Sequence, residues 1–297
     1  MSPRDTGAGK TDLRELPWIR FCRVRYFVLL LFFLAALPSC PPGAQAGDWN
    51  RRGASSMALH AGFFSFLVIG DTRGPNSCFP AVLEAAKRER GILFAVHLGD
   101  IVNYSVEREY EEMFFRPVEE LPWPMLIIPG NHERYRDGSA SLFREYFGSP
   151  PYFAFSVGDS RFVLLDNSCR KAMDSGQMEW LRREMEGGAS RKNLFVFLHM
   201  PLEDPRNGPK PHAMEDPGQI GELRRLFEKG NVTMAFSGHI HSWYSGFWGK
   251  TPYIITGGGG SPLYGKDPKA SFHHYVRVDV MEDGPRFTVI KAGPGTP

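Results

Sequence analysis

Apolar runs of strand length alternate with helical segments through the first half of the chain. Residues 63–69, 92–98 and 124–128 are rich in β-branched and aromatic side chains and predict buried strands. Between these runs, residues 80–90 and 106–121 carry apolar side chains at helical spacing. Strands that alternate with helices in this way favour parallel pairing with helical crossovers.

The second half of the chain mixes further units of this kind with short strands that suit hairpins. Residues 152–156 and 161–165 flank a Gly-Asp pair and predict a hairpin. Helices are predicted at 177–185 and 220–229, strands at 193–198 and 233–236, and antiparallel strands at 243–248, 253–256, 275–280 and 287–291. Together the elements predict an α/β protein, a two-sheet α/β sandwich flanked by helices, with a site at one end.

The N-terminal residues have the pattern of a segment that directs export. Three arginines precede an apolar run at residues 26–37, whose 12 residues are fewer than the roughly 20 needed to span a bilayer. The run suits the core of a signal peptide, and residues 44–46 are small enough for a cleavage site. An uncleaved membrane anchor and a lipoprotein signal at Cys40 are alternatives.

These patterns divide the chain into three parts. We expect residues 1–46 to be a signal peptide or N-terminal anchor, residues 47–61 a polar tether, and residues 62–293 one domain. The protein is then expected to be exported, periplasmic or extracellular, and to contact a membrane only through its N-terminal segment.

Charge and cysteine content add two further expectations. The chain of 297 residues has a formal net charge of +2 and no basic stripe with interleaved aromatic residues, so nucleic acid is not indicated as a partner. In an exported chain, Cys78 and Cys169 could form a disulfide or remain two free thiols, and the sequence leaves both alternatives open.

Five short segments carry metal-ligand side chains in a fixed order. They are Gly70-Asp71-Thr72-Arg73-Gly74, Gly99-Asp100, Gly130-Asn131-His132-Glu133, His199 and Gly238-His239-Ile240-His241. Most of them directly follow an apolar run, and strand ends are where open α/β sheets gather their site residues. A cluster of carboxylate, carboxamide and imidazole groups suits Mn, Fe or Zn.

In this order the segments resemble the motifs of the calcineurin-like metallophosphoesterase superfamily, which includes the purple acid phosphatases. The resemblance extends from residue 63 to about residue 291. It implies an α/β sandwich of the metallo-dependent phosphatase type that binds two divalent or mixed-valence metal ions, with Mn or Fe preferred over Zn. It also implies hydrolysis of phosphate mono- or diesters through a metal-activated water.

The resemblance implies a role for each residue of these segments. Asp100 would bridge two metal ions, Asp71 and His241 would bind the first ion, and the second would be bound by Asn131, His199 and His239. His132 would lie beside the substrate, as a general acid or a phosphate contact.

Arg73 departs from the family pattern, because the first family motif usually has a second ligand, a histidine, at this position. Arginine has no free lone pair and cannot bind a metal ion. Either water replaces the missing ligand, or the first ion binds weakly, or the site holds one metal ion. Arg73 could instead donate two hydrogen bonds to the substrate phosphate, or form an ion pair.

A second departure concerns the tyrosine that binds metal in purple acid phosphatases. Asn103 occupies that position here, which speaks against the purple subgroup. Asn103 could still accept a hydrogen bond from His132. Tyr264, near the last metal motif, could line a substrate cleft or pack in the sheet.

Several neighbouring residues have simpler interpretations. Glu133 is interpreted as a loop or capping residue, His97 as a core residue and His212 as a surface residue. The glycines at 257–260 favour a tight turn beside the metals over an anion-binding loop. The proline-rich insert at 200–218 is a candidate substrate-selecting loop.

Two functions from different classes fit these features. The first is a metal-dependent phosphoesterase that acts on a small-molecule or lipid phosphate ester. The second is a non-catalytic metal-binding protein of the cell envelope with the same fold, suggested by Arg73 in place of the family's histidine.

Overall fold

Two β-sheets pack face to face at the centre of the fold. The computed structural model describes residues 47–60, 62–74, 76–188, 191–206, 212–265 and 267–293. Within these ranges one sheet has five strands and the other has six. The predicted two-sheet α/β sandwich flanked by helices is confirmed.

The first sheet carries the N-terminal motifs. Its strands are β1 (Phe64–Ile69), β2 (Ile92–His97), β3 (Met125–Ile127), β10 (His274–Met281) and β11 (Gly284–Lys291). Their order across the sheet is β11-β10-β1-β2-β3, so β3 lies at an edge. The first three strands pair in parallel, as expected, and β10 runs antiparallel to both β1 and β11.

The second sheet carries the C-terminal motifs. Its strands are β4 (Phe153–Val157), β5 (Ser160–Leu164), β6 (Asn193–Leu198), β7 (Met234–Ser237), β8 (Trp243–Trp248) and β9 (Thr251–Thr256). They lie in the order β4-β5-β6-β7-β9-β8. The hairpins β4–β5 and β8–β9 are antiparallel, as expected, but β9 also pairs in parallel with β7.

Helices pack against both sheets. They are α1 (Trp49–Ser56), α2 (Phe79–Lys87), α3 (Glu107–Glu109), α4 (Arg116–Val118), α5 (Ser141–Phe147), α6 (Ser175–Gly188) and α7 (Pro217–Lys229). A π-helical segment, Tyr110–Phe115, joins α3 to α4 where one continuous helix was expected. The sequence pattern did not predict α5, whose seven residues are too few for a clear helical period.

The alternation of side chains along each strand builds the core in layers. On β1, Phe66 and Val68 face the second sheet, whereas Leu67 and Ile69 pack on the other face with helix α2. Aromatic rings fill the space between the sheets, and the Phe66 ring lies 5.3 Å from that of Phe195. A third cluster joins the outer face of the second sheet to α6 and α7. This packing holds the carboxyl ends of the parallel strands together.

Residues 47–61 were expected to form a polar tether, but residues 49–56 form α1, which packs on the edge strand β3. The Trp49 Nε1 donates to the Met125 carbonyl at 2.6 Å. The buried Asn50 side chain donates to the Ile127 carbonyl and accepts from its N–H, both at 2.8 Å. Asn50 thus forms hydrogen bonds with backbone groups that would otherwise be unpaired at the open edge of the sheet. Polar composition alone does not reveal this role.

The N-terminal segment and the cysteine pair are two further expectations, and they have different outcomes. The signal peptide or anchor predicted at residues 1–46, including Cys40, lies outside the described residues. Within the described ranges, no helix is both long and apolar enough to cross a bilayer. Cys78 and Cys169 are free thiols, so the disulfide alternative is not realised.

Candidate metal centre

The ends of five parallel strands meet at one edge of the sandwich and bring the motif residues together. Asp71, Asp100 and Asn131 follow β1, β2 and β3 of the first sheet. His199 follows β6 of the second sheet, and His239 and His241 follow β7. Two groups of candidate ligand atoms result, Asp100–His199–His239 and Asp71–Asp100–His241, each with all atoms within 4.8 Å of one another. Asp100 belongs to both groups.

Three of these residues have a backbone conformation that is rare outside glycine. The φ angles are 59° at Asp71, 59° at Asp100 and 65° at His239. Such left-handed residues cost free energy and persist where surrounding structure fixes them, often at functional sites. Each of the three follows a glycine, which leaves room for the neighbouring strand-end loop. A Cβ atom on Gly99 would overlap the backbone of Gly130.

Backbone hydrogen bonds tie the first two strand-end loops together. The N–H of Asp71 donates to the Gly99 carbonyl, and the N–H of Thr72 donates to the Asp100 carbonyl, both at 3.1 Å. His97 adds a side-chain link, because its Nδ1 accepts from the Gly99 N–H at 3.1 Å while its Nε2 contacts the Thr72 Oγ1 at 3.1 Å. Burial lowers the pKa of His97 to about 3, so the ring is neutral. The expected core histidine therefore also braces the site.

The second candidate metal position lies among His199, His239, Asn131 and Asp100. His199 Nδ1 lies 2.7 Å from the Leu98 carbonyl and must donate to it, which leaves a lone pair on Nε2. That Nε2 is 3.1 Å from Asn131 Oδ1, 3.2 Å from His239 Nδ1 and 3.4 Å from Asp100 Oδ1. Oxygen and nitrogen lone pairs thus converge on one point, an arrangement that suits a cation.

The first candidate metal position lies between Asp71, Asp100 and His241. His241 Nδ1 donates to the Pro262 carbonyl at 2.7 Å, so its Nε2 carries the lone pair that faces Asp71 Oδ1 at 3.4 Å. Such a carbonyl partner fixes the tautomer of a metal-binding histidine. The Tyr264 ring stacks on His241, with centroids 4.1 Å apart and an interplanar angle of 12°. Tyr264 therefore lies beside the site rather than in the sheet.

The electrostatics of the centre favour a bound cation. Burial raises the pKa of Asp100, but the nearby His199, His132, His239 and Arg73 outweigh it and lower the net value. Burial lowers the pKa of His199, and the carboxylates of Asp100 and Asp71 more than reverse this, so the net value is raised. Burial and then the charge of His199 lower the pKa of His239. A metal ion would replace these protons as the counter-charge of the two carboxylates.

Arg73 contacts the shared carboxylate directly. Its Nε donates to Asp100 Oδ2 at 3.3 Å, and its side chain is 18% exposed. The guanidinium therefore adds a fixed positive charge next to Asp100, the carboxylate that both groups share. The second position has four candidate ligands, Asp100, Asn131, His199 and His239, whereas the first has three, Asp71, Asp100 and His241. The residues fit one metal ion well at the second position and a second ion less well at the first.

His132 lies above Asp100 with its tautomer fixed. Its backbone N–H donates to Asp100 Oδ1 at 3.1 Å, and its Nε2 is 3.8 Å from Asp100 Oδ2. Its Nδ1 donates to the backbone carbonyl of Asn103 at 2.8 Å. Asn103 was expected to accept a hydrogen bond from His132 and does so, but through its backbone carbonyl rather than its side chain. The Asn103 amide instead contacts Met113 Sδ at 3.6 Å.

Glu133 has a larger structural role than a capping residue. Its fully buried carboxylate accepts from the backbone N–H groups of Asp100 at 2.8 Å, Ile101 at 2.9 Å and Gly130 at 2.5 Å. Burial and repulsion from Asp100 raise the pKa of Glu133 to about 7. The carboxylate joins the two loops that follow β2 and β3 and so fixes where Asp100 points.

Asn167 is a site residue that no sequence pattern indicated. Its Oδ1 accepts from the N–H groups of His199 at 2.8 Å and Met200 at 3.1 Å, and its Nδ2 donates to the Met200 carbonyl at 2.7 Å. It follows β5 without any recognisable motif, so only the fold connects it with His199.

His212 was expected at the surface, but it is half-buried beside the metal centre. Its ring centroid lies 5.7 Å from that of His239 and 5.6 Å from that of Tyr264. His212, which belongs to the proline-rich insert, therefore lies beside the centre. The glycines at 257–260 lie against the first strand-end loop: the N–H of Gly259 donates to the Gly70 carbonyl at 2.8 Å, and a Cβ atom on Gly257 would lie 2.9 Å from Asp71 Oδ2. The choice between a tight turn and an anion-binding loop stays a prediction.

Comparisons with known proteins agree with this geometry. The model of a family described as calcineurin-like phosphoesterase matches residues 64–243. A probable glycerophosphodiester phosphodiesterase GpdQ from Arcobacter nitrofigilis is 26% identical over 202 residues, which cover 63% of this chain and 66% of the relative. Purple acid phosphatase 23 from Arabidopsis thaliana is 25% identical over 134 residues, 40% of this chain and 29% of the relative. The chain thus spans less than two thirds of the length of either relative.

Solved structures share the fold at low sequence identity. GAP50, the anchor in the inner membrane complex of Plasmodium, has a TM-score of 0.61 at 13% identity, over 80% of this chain and 87% of that chain. Because the family model matches well over half of the 297 residues, the chain belongs to the calcineurin-like phosphoesterase family.

Proposed function

We propose that the protein is a metal-dependent hydrolase of phosphate mono- or diesters. The observation that carries the proposal is the position of Asp100, whose carboxylate belongs to two separate groups of candidate ligand atoms. A carboxylate in this position can bridge two metal ions. The family membership and the GpdQ-type relatives support an ester of phosphoric acid as the substrate.

We assign the metal ligands by position. Asp71 and His241 would hold the first ion, and the second would be held by Asn131, His199 and His239, with Asp100 shared between the two. Bound ions of this type activate a water molecule and neutralise charge on the phosphoryl oxygens. The mixture of oxygen and imidazole donors is compatible with Mn, Fe or Zn.

His132 is assigned to the substrate side of the centre. Because its Nδ1 proton is committed to the Asn103 carbonyl, Nε2 can donate to a leaving alcohol only when the ring is an imidazolium. Burial lowers the pKa of His132, and the charge of Asp100 opposes this. The negative charge of a bound phosphate would favour the imidazolium further.

Arg73 is assigned a mixed role. Its Nε contacts Asp100, but a guanidinium has five N–H donors, so others can serve a phosphate oxygen. The arginine would then compensate charge on the substrate that a metal ion would otherwise neutralise.

The alternative function is a non-catalytic metal-binding protein of the cell envelope. It is favoured by the loss of a ligand at Arg73, and the structural neighbour GAP50 is described as an anchor. The expected export of this chain, through residues 1–46, would place either function outside the cytoplasm. Metal binding without hydrolysis of any phosphate ester would support this alternative.

The test replaces Asp100 with alanine. We expect the Asp100→Ala protein to lose most bound metal and to hydrolyse p-nitrophenyl phosphate and bis(p-nitrophenyl) phosphate at least about 1000-fold more slowly, because both ions lose a ligand. Metal content is measured by elemental analysis and turnover by absorbance. Asp283→Ala, at an exposed position, is the matched control. Normal turnover by Asp100→Ala protein would refute the assignment.

A further inference from the structure

Two exposed tyrosines lie side by side next to His132. Tyr104 is 67% exposed and Tyr135 is 57% exposed, and their ring centroids are 6.5 Å apart at an interplanar angle of 36°. Large aromatic side chains that remain exposed in adjacent loops often mark a binding surface. They come from separate strand-end loops, one after Asp100 and the other after His132.

The loops that carry the two rings are held in place. The backbone N–H groups of Asn103 and Tyr104 both donate to the Glu109 carboxylate, at 2.8 and 2.7 Å. The next residue, Ser105, has a φ angle of 54° and is buried. Tyr135 ends a short 3₁₀ helix, and its N–H donates to the His132 carbonyl at 3.2 Å. The exposed rings are therefore presented by ordered backbone.

The pair is within reach of a substrate bound at the metal centre. The Tyr135 ring meets the His132 ring edge to face, with centroids 4.3 Å apart. His132 also lies close to the shared carboxylate, with Nε2 3.8 Å from Asp100 Oδ2. An organic substituent that extends from a phosphoryl group at Asp100 past His132 would therefore reach the tyrosines.

The surroundings limit the size of the organic group. Val106, two residues after Tyr104, is 39% exposed, and exposed charged residues follow both tyrosines in sequence: Glu107, Arg108, Arg136 and Asp137. Two aromatic rings whose neighbours in sequence are mostly charged fit one planar ring better than an acyl chain or a membrane surface, which need a continuous apolar area. The tyrosine hydroxyl groups also suit a ring that carries polar atoms.

We propose that Tyr104 and Tyr135 form a subsite for a planar aromatic or heteroaromatic ring in the organic part of the phosphate ester. The inference rests on the proposed function, because it assumes that the phosphoryl group binds at the metal centre. It narrows the substrate class to esters of ring-bearing alcohols, which neither the metal ligands nor the family indicates.

The test compares three phosphonates that cannot be hydrolysed. Phenylphosphonate, cyclohexylphosphonate and methylphosphonate are titrated into the Mn²⁺-loaded full chain by calorimetry, at a pH where all three are dianions. Stacking on aromatic side chains contributes enough that we expect phenylphosphonate to bind about tenfold more tightly than cyclohexylphosphonate. The two rings are similar in size and apolarity, so the difference reports planarity.

Variants connect the preference to the two tyrosines. Tyr104→Ala and Tyr135→Ala should each reduce the phenyl preference several-fold, and the double variant should abolish it, whereas Tyr104→Phe should retain it. Phe247→Ala, which removes a ring that is 70% exposed on β8, is the matched control and should retain the preference. Thermal melts of each variant check that it is folded.

The outcomes separate this proposal from the proposed function. Equal binding of the phenyl and cyclohexyl compounds, no binding of any phosphonate, or a preference that survives the double variant would each overturn the subsite. A second assay measures binding to vesicles of zwitterionic and anionic lipid. If the unchanged protein binds these vesicles without any preference for the phenyl compound, and the double variant does not bind them, the subsite is overturned in favour of a membrane contact. A tyrosine-dependent preference in a protein that hydrolyses no ester would support the subsite and refute the hydrolase.

Discussion

Arg73 is the residue at which this chain departs most clearly from its family. A single guanidinium in contact with Asp100 replaces a neutral ligand by a permanent charge. A unit charge and a divalent ion within about 10 Å of each other repel by ~3 kcal/mol at an effective dielectric constant of about 20. The sequence left open whether the first ion is absent, weakly bound or completed by water. The contact with Asp100 favours weak binding, because the shared carboxylate already has a counter-charge.

The prediction at this scale concerns the affinity for the second equivalent of metal. We expect Arg73→His to strengthen binding of the second Mn²⁺ equivalent at least about 100-fold, because it removes the repulsion and restores a ligand. Isothermal titration calorimetry measures both equivalents. Arg73→Gln removes the charge without adding an imidazole and should give a smaller gain. Two equivalents that bind the unchanged protein with equal affinity would contradict the prediction.

At the scale of elements, the site depends on how closely the loops after β2 and β3 approach each other. Glycines permit the approach, and the Glu133 carboxylate holds it by accepting backbone N–H groups from both loops. The motif around Asn131 therefore supplies both a candidate ligand and the group that fixes its neighbour. The sequence pattern indicated only a loop or capping residue at Glu133, since two of its partners, the N–H groups of Asp100 and Ile101, are backbone atoms 33 and 32 residues away.

Replacing this carboxylate by an amide should weaken both the fold and the metal site. We expect Glu133→Gln to lower the free energy of unfolding by about 2–4 kcal/mol, since an amide nitrogen cannot accept from the backbone donors that it would face. Metal affinity should fall with it, because Asp100 is no longer held. Urea unfolding and metal titration provide the measurements, with Glu179→Gln at an exposed position of α6 as control. Unchanged stability and affinity in the Glu133 variant would disprove this structural role.

At the scale of the whole molecule, buried histidines link stability to pH. His274 begins β10 and is fully buried, and its Nδ1 donates to the Phe272 carbonyl at 2.9 Å. Its Nε2 is buried without a partner among the described residues. Burial lowers the pKa of His274 to about 4, because a proton on Nε2 would be a buried, unpaired charge. The unfolded chain takes up this proton at its ordinary pKa of 6.5.

The folded protein should therefore lose stability as the pH falls from about 6.5 towards about 4. Between pH 7 and pH 5, His274 alone should account for about 2 kcal/mol of this loss. In His274→Asn protein we expect the fall in the free energy of unfolding between pH 7 and pH 5 to be about 2 kcal/mol smaller. Urea unfolding of the metal-free proteins measures it, and the other histidines contribute equally to the variant and the unchanged protein. The m-values should agree between the two proteins. An identical pH dependence would contradict the prediction.

Much of the fold and of the candidate site is encoded locally and in chain order. The strand periods, the crossover helices and the five ligand segments are each readable within a few residues, so the α/β sandwich and the candidate ligands could be predicted. Helix α1 could not be predicted, because its buried Asn50 is stabilised by hydrogen bonds with Ile127, which lies 77 residues away. Likewise, β9 was expected as an antiparallel strand, and its parallel pairing with β7 depends on neighbours that no short pattern specifies.

The sequence by itself determined the candidate metal ligands and the position where a family ligand is lost, because side-chain chemistry and chain order do not depend on packing. Only the tertiary structure decided what each group contacts. It paired Arg73 with Asp100, gave the carbonyl of Asn103 rather than its amide to His132, and placed His212 and two exposed tyrosines beside the centre. These contacts join residues from separate strand ends, whose distances are set by how the two sheets pack.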